Sequence, residues 1–222
     1  MGGMRSPLAE ESSWSETRLG ADGCGILKVV VALVDIDDTL TPAQKHILEH
    51  VNSRAARHFT FEEMTWQFRE ETIPGYDEYV QEVLGSPELV REYLPYALAL
   101  PALERLAGAG YEVHIASSRK ENLHAVTEEW LTLHGFMPHV HRVHKRFARV
   151  EKGANFKVKV AREFGVTVAF DDTHSVVQAL AQLGGVRVYV IDKPWNREPF
   201  ADVKGEIVRV SSFAAAVDDL LT

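Results

Sequence analysis

The chain has 222 residues, 45% of them hydrophobic and 25% charged, which is enough to bury a core but too short for two full-sized domains. Its 24 lysines and arginines against 32 aspartates and glutamates give a net charge of −8, which argues against a nucleic-acid polymer as partner. The single cysteine, Cys24, excludes an intrachain disulfide and a thiolate zinc site, and it is typical of a reducing, cytoplasmic location.

Residues 1–25 are interpreted as a polar leader, rich in Gly, Ser and Glu and without helical or strand periodicity. Gly2 and Ser6 fit an N-myristoylation pattern, but no polybasic second anchor follows, and one acyl chain alone binds membranes only marginally. The most apolar run, residues 26–34, is far shorter than the roughly 20 apolar residues of a membrane span. We therefore expect no membrane partner.

Beyond the leader, short apolar runs alternate with helical patterns. Strands buried on both faces are predicted at residues 27–34, 111–116, 166–170, 186–191 and 206–210. Helices are predicted at residues 101–109, 121–134, 156–164, 175–183 and 212–221, and four of them end at a glycine suited to the left-handed conformation. The alternation predicts an α/β fold with a doubly wound, Rossmann-like parallel sheet as its core, formed by residues 26–40 and 101–222.

Residues 41–100 interrupt this alternation and predict a small helical cap inserted after the first strand. The segment has no convincing strand pattern, whereas residues 43–58 have a helical pattern and Ser86-Pro87-Glu88 is typical of a helix N-terminus. It is rich in aromatic residues, namely Phe59, Phe61, Trp66, Phe68, Tyr76, Tyr79, Tyr93 and Tyr96. We expect most of them to form the cap's own core.

Acidic residues follow two of the predicted strands at the point where each strand ends. They are Asp35, Asp37 and Asp38 after the first strand, and Asp171 and Asp172 after the strand at 166–170. Ligands of open parallel sheets gather at the carboxyl ends of the strands, and clustered carboxylates repel one another unless a cation joins them. The pattern predicts a divalent cation site, for which Mg²⁺ is the simplest choice. The structural alternative is a polar turn in which Asp38 or Thr39 caps the next helix.

Two further segments supply groups that suit a phosphate. Ser117, Ser118 and Arg119 follow the strand at 111–116 and precede a helix. Hydroxyls, backbone N–H groups at a helix start and a guanidinium together make a phosphate-binding corner. Lys157 lies near the start of a later helix and by itself is only a surface lysine. Both choices have competitors: Ser118 against Ser117 for the hydroxyl, and Lys152 or Lys159 against Lys157 for the lysine.

The order of these motifs resembles the haloacid dehalogenase (HAD) superfamily of phosphohydrolases, whose motifs run Asp-x-Asp-x-Thr, then Ser or Thr, then Lys, then an Asp pair. A response-regulator receiver uses similar groups, but its acidic pair ends the first strand. The resemblance implies that Asp35 is the nucleophile that becomes an aspartyl-phosphate and that Asp37 is the general acid and base. It implies that Ser117 and Lys157 bind the phosphoryl oxygens. It also implies Mg²⁺ held by Asp35, the backbone carbonyl of Asp37, and one or both of Asp171 and Asp172.

Three segments, residues 35–39, 59–65 and 192–197, look like the 5′(3′)-deoxyribonucleotidase branch of that superfamily. This resemblance implies a nucleotide or another small phosphorylated metabolite as substrate. The candidate contacts to the substrate are Thr39, Ser118, Arg119, Phe61 and Trp66. The chain departs from the branch at Asp38, where glycine is common, and at Ser117, where threonine often leads. The rival hypotheses are a phosphatase for sugar or amino-acid phosphates and a non-catalytic binding module with the same fold.

Two other clusters are interpreted as structural. His139, His141 and His144 predict a polar edge strand or loop, because their spacing serves one tetrahedral metal site poorly. The basic cluster at Lys145, Arg146, Arg149 and Lys152 predicts a solvated loop. His174 fits either a place near the acidic pair or a helix start. The sequence is compatible with a homodimer, and no feature in it decides the oligomeric state.

Overall fold

A computed structural model describes residues 29–54, 57–65, 82–147 and 152–222 of the chain. The predicted leader and myristoylation pattern, together with Trp66, Phe68, Tyr76, Tyr79 and Arg149, lie outside the described residues. No helix in the described ranges is both long and apolar enough to cross a membrane.

The described residues form one six-stranded sheet in which every strand pairing is parallel. Its strands are β1 (Val30–Val34), β2 (Tyr111–Ala116), β3 (Arg142–His144), β4 (Val166–Asp171), β5 (Arg187–Ile191) and β6 (Ile207–Val210). The order across the sheet is β3-β2-β1-β4-β5-β6. All five predicted strands are present, and the histidine-rich segment contributes the sixth at one edge. The order places β1 between β2 and β4, so the motifs that follow these three strands are neighbours.

The helices are α1 (Ala43–Arg54), α2 (Pro87–Glu92), α3 (Ala99–Gly108), α4 (His124–Leu133), α5 (Gly153–Phe164), α6 (His174–Ala181) and α7 (Phe213–Leu220). One face of the sheet packs against α3, α4 and α7, and the other against α5 and α6. Alternate residues of β1 divide between the two cores, with Ala32 and Val34 on one side and Val31 and Leu33 on the other. This burial on both faces is the doubly wound architecture that the apolar strands predict.

Several helix ends differ from the sequence expectation by a few residues. The first helix is described over Ala43–Arg54, and residue 58, where the sequence pattern ends it, is not helical. The helix expected from residue 121 begins with a 3-10 turn, Glu121–Leu123. The four glycines expected to end helices all have positive φ: Gly110, Gly135, Gly165 and Gly184. Ser86 caps α2 as expected, because its hydroxyl accepts a hydrogen bond from the Leu89 amide at 3.2 Å.

The segment between β1 and α3 contains α1 and α2, and its described residues contain no strand. It has a core of its own, which includes Ile47, Val51, Met64, Val90 and Tyr93. Leu123, Val126 and Trp195 from the sheet domain complete this core, so the insert packs directly beside the carboxyl ends of the strands. The described part of the insert therefore consists of helices and turns, and the cap over residues 41–100 stays a prediction.

Candidate active site

The chain turns sharply after β1, and the turn presents its acidic residues at the edge of the sheet. The amides of Thr39, Leu40 and Thr41 all donate to the carbonyl of Ile36. Asp38 has a φ of 59°, in the left-handed region that glycine adopts most easily and that Asp tolerates better than most residues. Both carboxylate oxygens of Asp38 accept the Gln44 amide at 3.1 Å, near the start of α1. Asp38 therefore caps a helix and also lines the cavity described below.

Lys157 joins the first and last motifs. Its Nζ lies 2.7 Å from Asp35 Oδ1 and 2.6 Å from Asp171 Oδ2, and all three side chains are buried. Burial alone would lower the pKa of Lys157, but Asp171 and Asp35 raise it above its usual value. The lysine is therefore held as a cation between two carboxylates, and its competitors differ in position. Lys152 precedes α5, and Lys159 is exposed on a groove along the same helix.

Three carboxylates converge in front of this lysine. Oxygens of Asp35, Asp171 and Asp172, one from each, all lie within 4.8 Å of one another. Burial raises the pKa of Asp35 well above its ordinary value; Lys157 opposes that shift, and Asp171 and Asp172 add to it. Burial also raises the pKa of Asp172, with Asp38 and Asp171 as further causes. Ionisation of all three carboxyls would therefore place more negative charge here than the lysine neutralises.

The two aspartates of the last motif differ in what they contact. Asp171 accepts from Lys157 through Oδ2 and from the Thr173 amide through Oδ1 at 2.9 Å. Asp172 accepts from Trp195 Nε1 through Oδ2 at 2.8 Å and lines the cavity. Asp172 also accepts from the Thr173 hydroxyl through Oδ1 at 3.5 Å, so both aspartates are hydrogen-bonded within the protein. Of the two, Asp172 is the one that lines the cavity.

Asp37 is held by a guanidinium. Arg119 Nη2 lies 2.6 Å from Asp37 Oδ1 and Arg119 Nε lies 3.0 Å from Oδ2, with Arg119 buried. Arg119 Nη1 also donates to Thr127 Oγ1 at 3.2 Å. The sequence hypothesis of Arg119 as a substrate contact stays a prediction, because here its side chain contacts the acid of the first motif.

The two candidate serines occupy different places. Ser117 is buried, and its hydroxyl accepts the Arg119 amide at 3.3 Å. Ser118 lines the cavity. Gly153, at the start of α5, lies so close that a Cβ there would overlap the Ser118 hydroxyl. Of the two serines, Ser118 is therefore the one that lines the cavity, and it does so beside the start of α5.

A cavity of about 280 Å³ opens in front of these groups. Residues from both the first and last motifs line it, as do several that the sequence analysis did not select: Gln44, Thr173, Ser175, Trp195 and Glu198. His174 lines it too and is also the first residue of α6, so both sequence interpretations of His174 hold. Trp195 lies in the run at 192–197, whose resemblance to a known branch was the available signal. Nothing in the local pattern marks Gln44 or Glu198.

Two further predicted substrate contacts, Thr39 and Phe61, are described and do not line this cavity. Thr39 is buried on the wall of a second cavity. The ring of Phe61 packs edge-on against Trp195, with centroids 5.5 Å apart, as part of the cap core. Trp66 lies outside the described residues. Thr39 is placed elsewhere because the turn after β1 directs Asp38 and Thr39 to opposite cavities.

The histidine cluster does not come together as a metal site in the described residues. His139 lies in a 3-10 turn (Met137–His139) and His144 in β3. His144 instead contacts His114 of β2, with ring nitrogens 3.0 Å apart. In the basic cluster, Lys145 pairs with Glu128 at 2.8 Å. His144 therefore lies in an edge strand, one of the two placements that the sequence predicts for the histidine segment.

The parallel sheet, the order of the four motifs and the Asp35–Lys157–Asp171 contacts define a phosphohydrolase of the haloacid dehalogenase type. Within that class, the chain belongs to the family described as 5′ nucleotidase, deoxy (pyrimidine), cytosolic type C protein, whose model matches residues 28–220. No curated protein sequence matches the chain.

Solved structures show the same fold at low sequence identity. A predicted phosphatase from Clostridium acetobutylicum has a TM-score of 0.60 at 14% identity, covering 87% of this chain and 98% of that one. CbbY from Rhodobacter sphaeroides in complex with phosphate has a TM-score of 0.56 at 17% identity, covering 84% and 95%. L-2-haloacid dehalogenase from Xanthobacter autotrophicus, with chloropropionic acid covalently bound, has a TM-score of 0.56 at 12% identity, covering 87% and 98%.

Proposed function

We propose that this protein is a magnesium-dependent phosphomonoesterase that acts on a nucleotide or similar small phosphorylated metabolite through an aspartyl-phosphate at Asp35. The observation that carries this proposal is the position of Asp35. Its buried carboxylate contacts Lys157, lies beside Asp171 and Asp172, and lines the cavity. Membership of a nucleotidase family supports a nucleoside monophosphate as the substrate.

The charge of the site supports a divalent cation. Four aspartates line the cavity, Asp35, Asp37, Asp38 and Asp172, and Asp171 lies beside them. Lys157 forms ion pairs with Asp35 and Asp171, and Arg119 forms one with Asp37. A phosphate group would be repelled by this concentration of carboxylates. Oxygen ligands are those that Mg²⁺ prefers, so Asp35, Asp172 and the backbone carbonyl of Asp37 would hold it. When bound, the ion would offset this negative charge and polarise the phosphoryl oxygens.

Catalysis would proceed in two balanced steps at phosphorus. First, an oxygen of Asp35 attacks, a phosphorus–oxygen bond to the leaving alcohol breaks, and Asp37 protonates the leaving oxygen. Second, water attacks the same phosphorus, Asp37 accepts its proton, and the bond to Asp35 breaks with release of phosphate. Asp35 and Asp37 lie two residues apart after one strand, so both can face one phosphoryl group. Asp35 would attack the phosphorus on one side, and Asp37 would protonate the leaving oxygen on the other.

Lys157 and the serines would stabilise the charge that accumulates during transfer. The ammonium of Lys157 already touches the nucleophile, so it would meet the phosphoryl oxygens as the bond forms. Ser118 lines the cavity and would donate its hydroxyl to the same oxygens, with Ser117 buried behind it. Trp195, held by its contact with Asp172, would form one wall of the leaving-group pocket.

Replacing the nucleophile tests the reaction. Asp35→Asn keeps the shape of the side chain and is expected to lower turnover of an aryl phosphate by at least about a thousandfold with the fold retained. Asp202→Asn is the matched control, because this exposed aspartate lies outside the site and Asn tolerates its left-handed φ of 52°. Acid-quenched wild-type enzyme should carry a phosphate on the peptide that contains Asp35. Undiminished hydrolysis by Asp35→Asn would refute the role of Asp35.

A substrate panel tests the leaving group. Ribonucleoside and deoxyribonucleoside monophosphates, sugar phosphates and phosphoserine should be compared at equal magnesium concentration by phosphate release. We expect the highest kcat/KM for a nucleoside monophosphate. A clear preference for sugar or amino-acid phosphates would end the nucleotidase proposal and leave the phosphomonoesterase proposal standing. The acidic net charge argues against a nucleic-acid polymer and agrees with a small metabolite as the substrate. The single cysteine is typical of a reducing compartment, so the proposed location is cytoplasmic.

A further inference from the structure

We propose that the second cavity, on the other side of the turn after β1, binds a small organic anion: one carboxylate or phosphate group on a compact apolar body. The cavity has a volume of about 220 Å³. It lies between the start of α3, the segment that follows β5 and the start of α7. The residues that carry the argument are Thr39, Tyr96, Leu98, Lys193, Ser212 and Phe213. They are separate from those that line the candidate active site.

Lys193 provides the positive charge. Its side chain is only 8% exposed, and its Nζ donates to the Tyr96 hydroxyl at 3.0 Å. Within the described part of the chain, no carboxylate forms an ion pair with this ammonium. A buried ammonium with one neutral acceptor retains two donors and an unbalanced charge. An anion in the cavity would accept hydrogen bonds from these donors and balance the charge.

The start of α7 points to the same kind of ligand. The hydroxyl of Ser212 caps this helix by accepting the Ala215 amide at 3.1 Å. The amides of Phe213 and Ala214 make no hydrogen bond to any other described residue, and both residues line the cavity. Free amides at a helix start carry partial positive charge and bind anions. They therefore act together with Lys193 on one ligand.

Thr39 adds a third polar group to the wall. It is 1% exposed, and its hydroxyl makes no hydrogen bond within the described residues. Buried hydroxyls rarely stay unpaired, so the group is available to a ligand or an ordered water. Thr39 also follows Asp38 directly in the chain, so a ligand here would touch the turn that carries the candidate catalytic aspartates.

The rest of the wall is apolar and sets the shape of the ligand. Ala97, Leu98, Ala99, Ile191 and Ala214 supply it, and Leu98 is 64% exposed at the rim. A highly polar body would lose its hydration against these side chains without new partners. A single anionic head with a short apolar tail satisfies both the charged end and the walls. Butyrate is a simple probe with this form, and inorganic phosphate tests the head group alone.

The test is a titration of the ¹⁵N-labelled full chain observed by two-dimensional NMR. Butyrate should shift the amide signals of Phe213 and Ala214 in a saturable manner, whereas its neutral analogue butyramide should not. Lys193→Met should weaken butyrate binding by at least about tenfold, since a charged hydrogen bond is lost. Lys159→Met, an exposed lysine on another helix, should bind as the wild type does.

Inorganic phosphate separates the two head groups. Shifts of the same two amides by phosphate support a phosphate ligand, and shifts by butyrate alone support a carboxylate. Saturable binding of neither anion, or equal shifts with butyramide, would overturn the proposal. The comparison of butyrate with butyramide uses only the wild-type chain, so it stands even if Lys193→Met fails to fold. Because the two amides lie outside the candidate active site, the result is also independent of the proposed catalysis.

Discussion

Arg119 holds both carboxylate oxygens of Asp37, at 2.6 and 3.0 Å, and so fixes the candidate general acid and base. The guanidinium is itself held by Thr127, whose hydroxyl donates to the Leu123 carbonyl at 2.7 Å. A chain of hydrogen bonds therefore runs from α4 to the turn after β1. The planar fork of arginine suits this two-point contact, and a lysine ammonium does not.

Arg119→Lys is expected to lower kcat by about tenfold to a hundredfold, because it keeps the charge but loses the orientation of Asp37. KM should change little. A direct contact between Arg119 and the substrate phosphate, the role that the residue pattern after β2 predicts, would instead raise KM with kcat nearly unchanged. Steady-state kinetics separates the two outcomes. Arg54→Lys, which alters an exposed arginine bound at two points to Glu82, should leave both constants unchanged.

Much of this architecture follows from local pattern, since buried parallel strands and glycine-terminated helices are visible in the sequence. The convergence of Asp35, Lys157 and Asp171 was predicted from motif order and is present. The places of Ser118, Gln44 and Glu198 on the cavity wall depend on how α1, α5 and the segment after β5 pack, and no local periodicity records that packing. Thr39 shows the same limit, because its direction is set by a left-handed turn at its neighbour.

Metal binding should stabilise the fold through Asp172. Burial and neighbouring carboxylates raise the pKa of Asp172, so its ionised form destabilises the metal-free protein. Asp172→Asn should therefore be at least as stable as the wild type without metal. Magnesium should raise the Tm of the wild type, because a ligand that binds only the folded state adds stability. It should raise the Tm of Asp172→Asn much less, because that variant lacks the carboxylate that would bind the ion.

Asp171→Asn is the informative comparison for that experiment. It removes a buried partner of Lys157, so it should lower the free energy of unfolding of the metal-free protein by about 3 kcal/mol. The Tm of the metal-free variant should fall accordingly. Thermal unfolding with and without magnesium, after treatment with a chelator, measures both effects. Equal stabilisation of Asp172→Asn and wild type by magnesium would show that Asp172 does not bind the ion.

The backbone at Asp38 predicts an order of stability among its variants. A φ of 59° costs a residue with a Cβ roughly 1–2 kcal/mol, and glycine adopts it freely. Asp38→Ala loses the bond to the Gln44 amide and keeps the strain, whereas Asp38→Gly loses the bond and relieves the strain. We expect Asp38→Gly to be more stable than Asp38→Ala by about 1 kcal/mol in urea unfolding. The reverse order would contradict the assigned turn.

The contact between His114 and His144 predicts a pH dependence of stability. The two ring nitrogens lie 3.0 Å apart, and both imidazole rings pack against the ring of Phe164. Burial lowers the pKa of His114 to about 4, with Arg142 and His141 as further causes. Burial also lowers the pKa of His144 to about 4, with His114 and Arg142 adding to the shift. Folding therefore disfavours protonation of both rings.

Since an unfolded histidine has a pKa near 6.5, the unfolded chain binds more protons between pH 6.5 and 4, and stability falls as the pH falls through this window. The buried carboxyls of Asp35 and Asp172, with raised pKa values, act in the opposite direction, so a variant must isolate the histidines. When the pH falls from 7 to 5, the free energy of unfolding of His144→Gln should decrease by about 1 kcal/mol less than that of the wild type. This figure allows for the partial exposure of the ring. Urea unfolding measures this difference. The exposed His58→Gln should behave as wild type, and an unchanged slope in His144→Gln would remove the histidine pair as its cause.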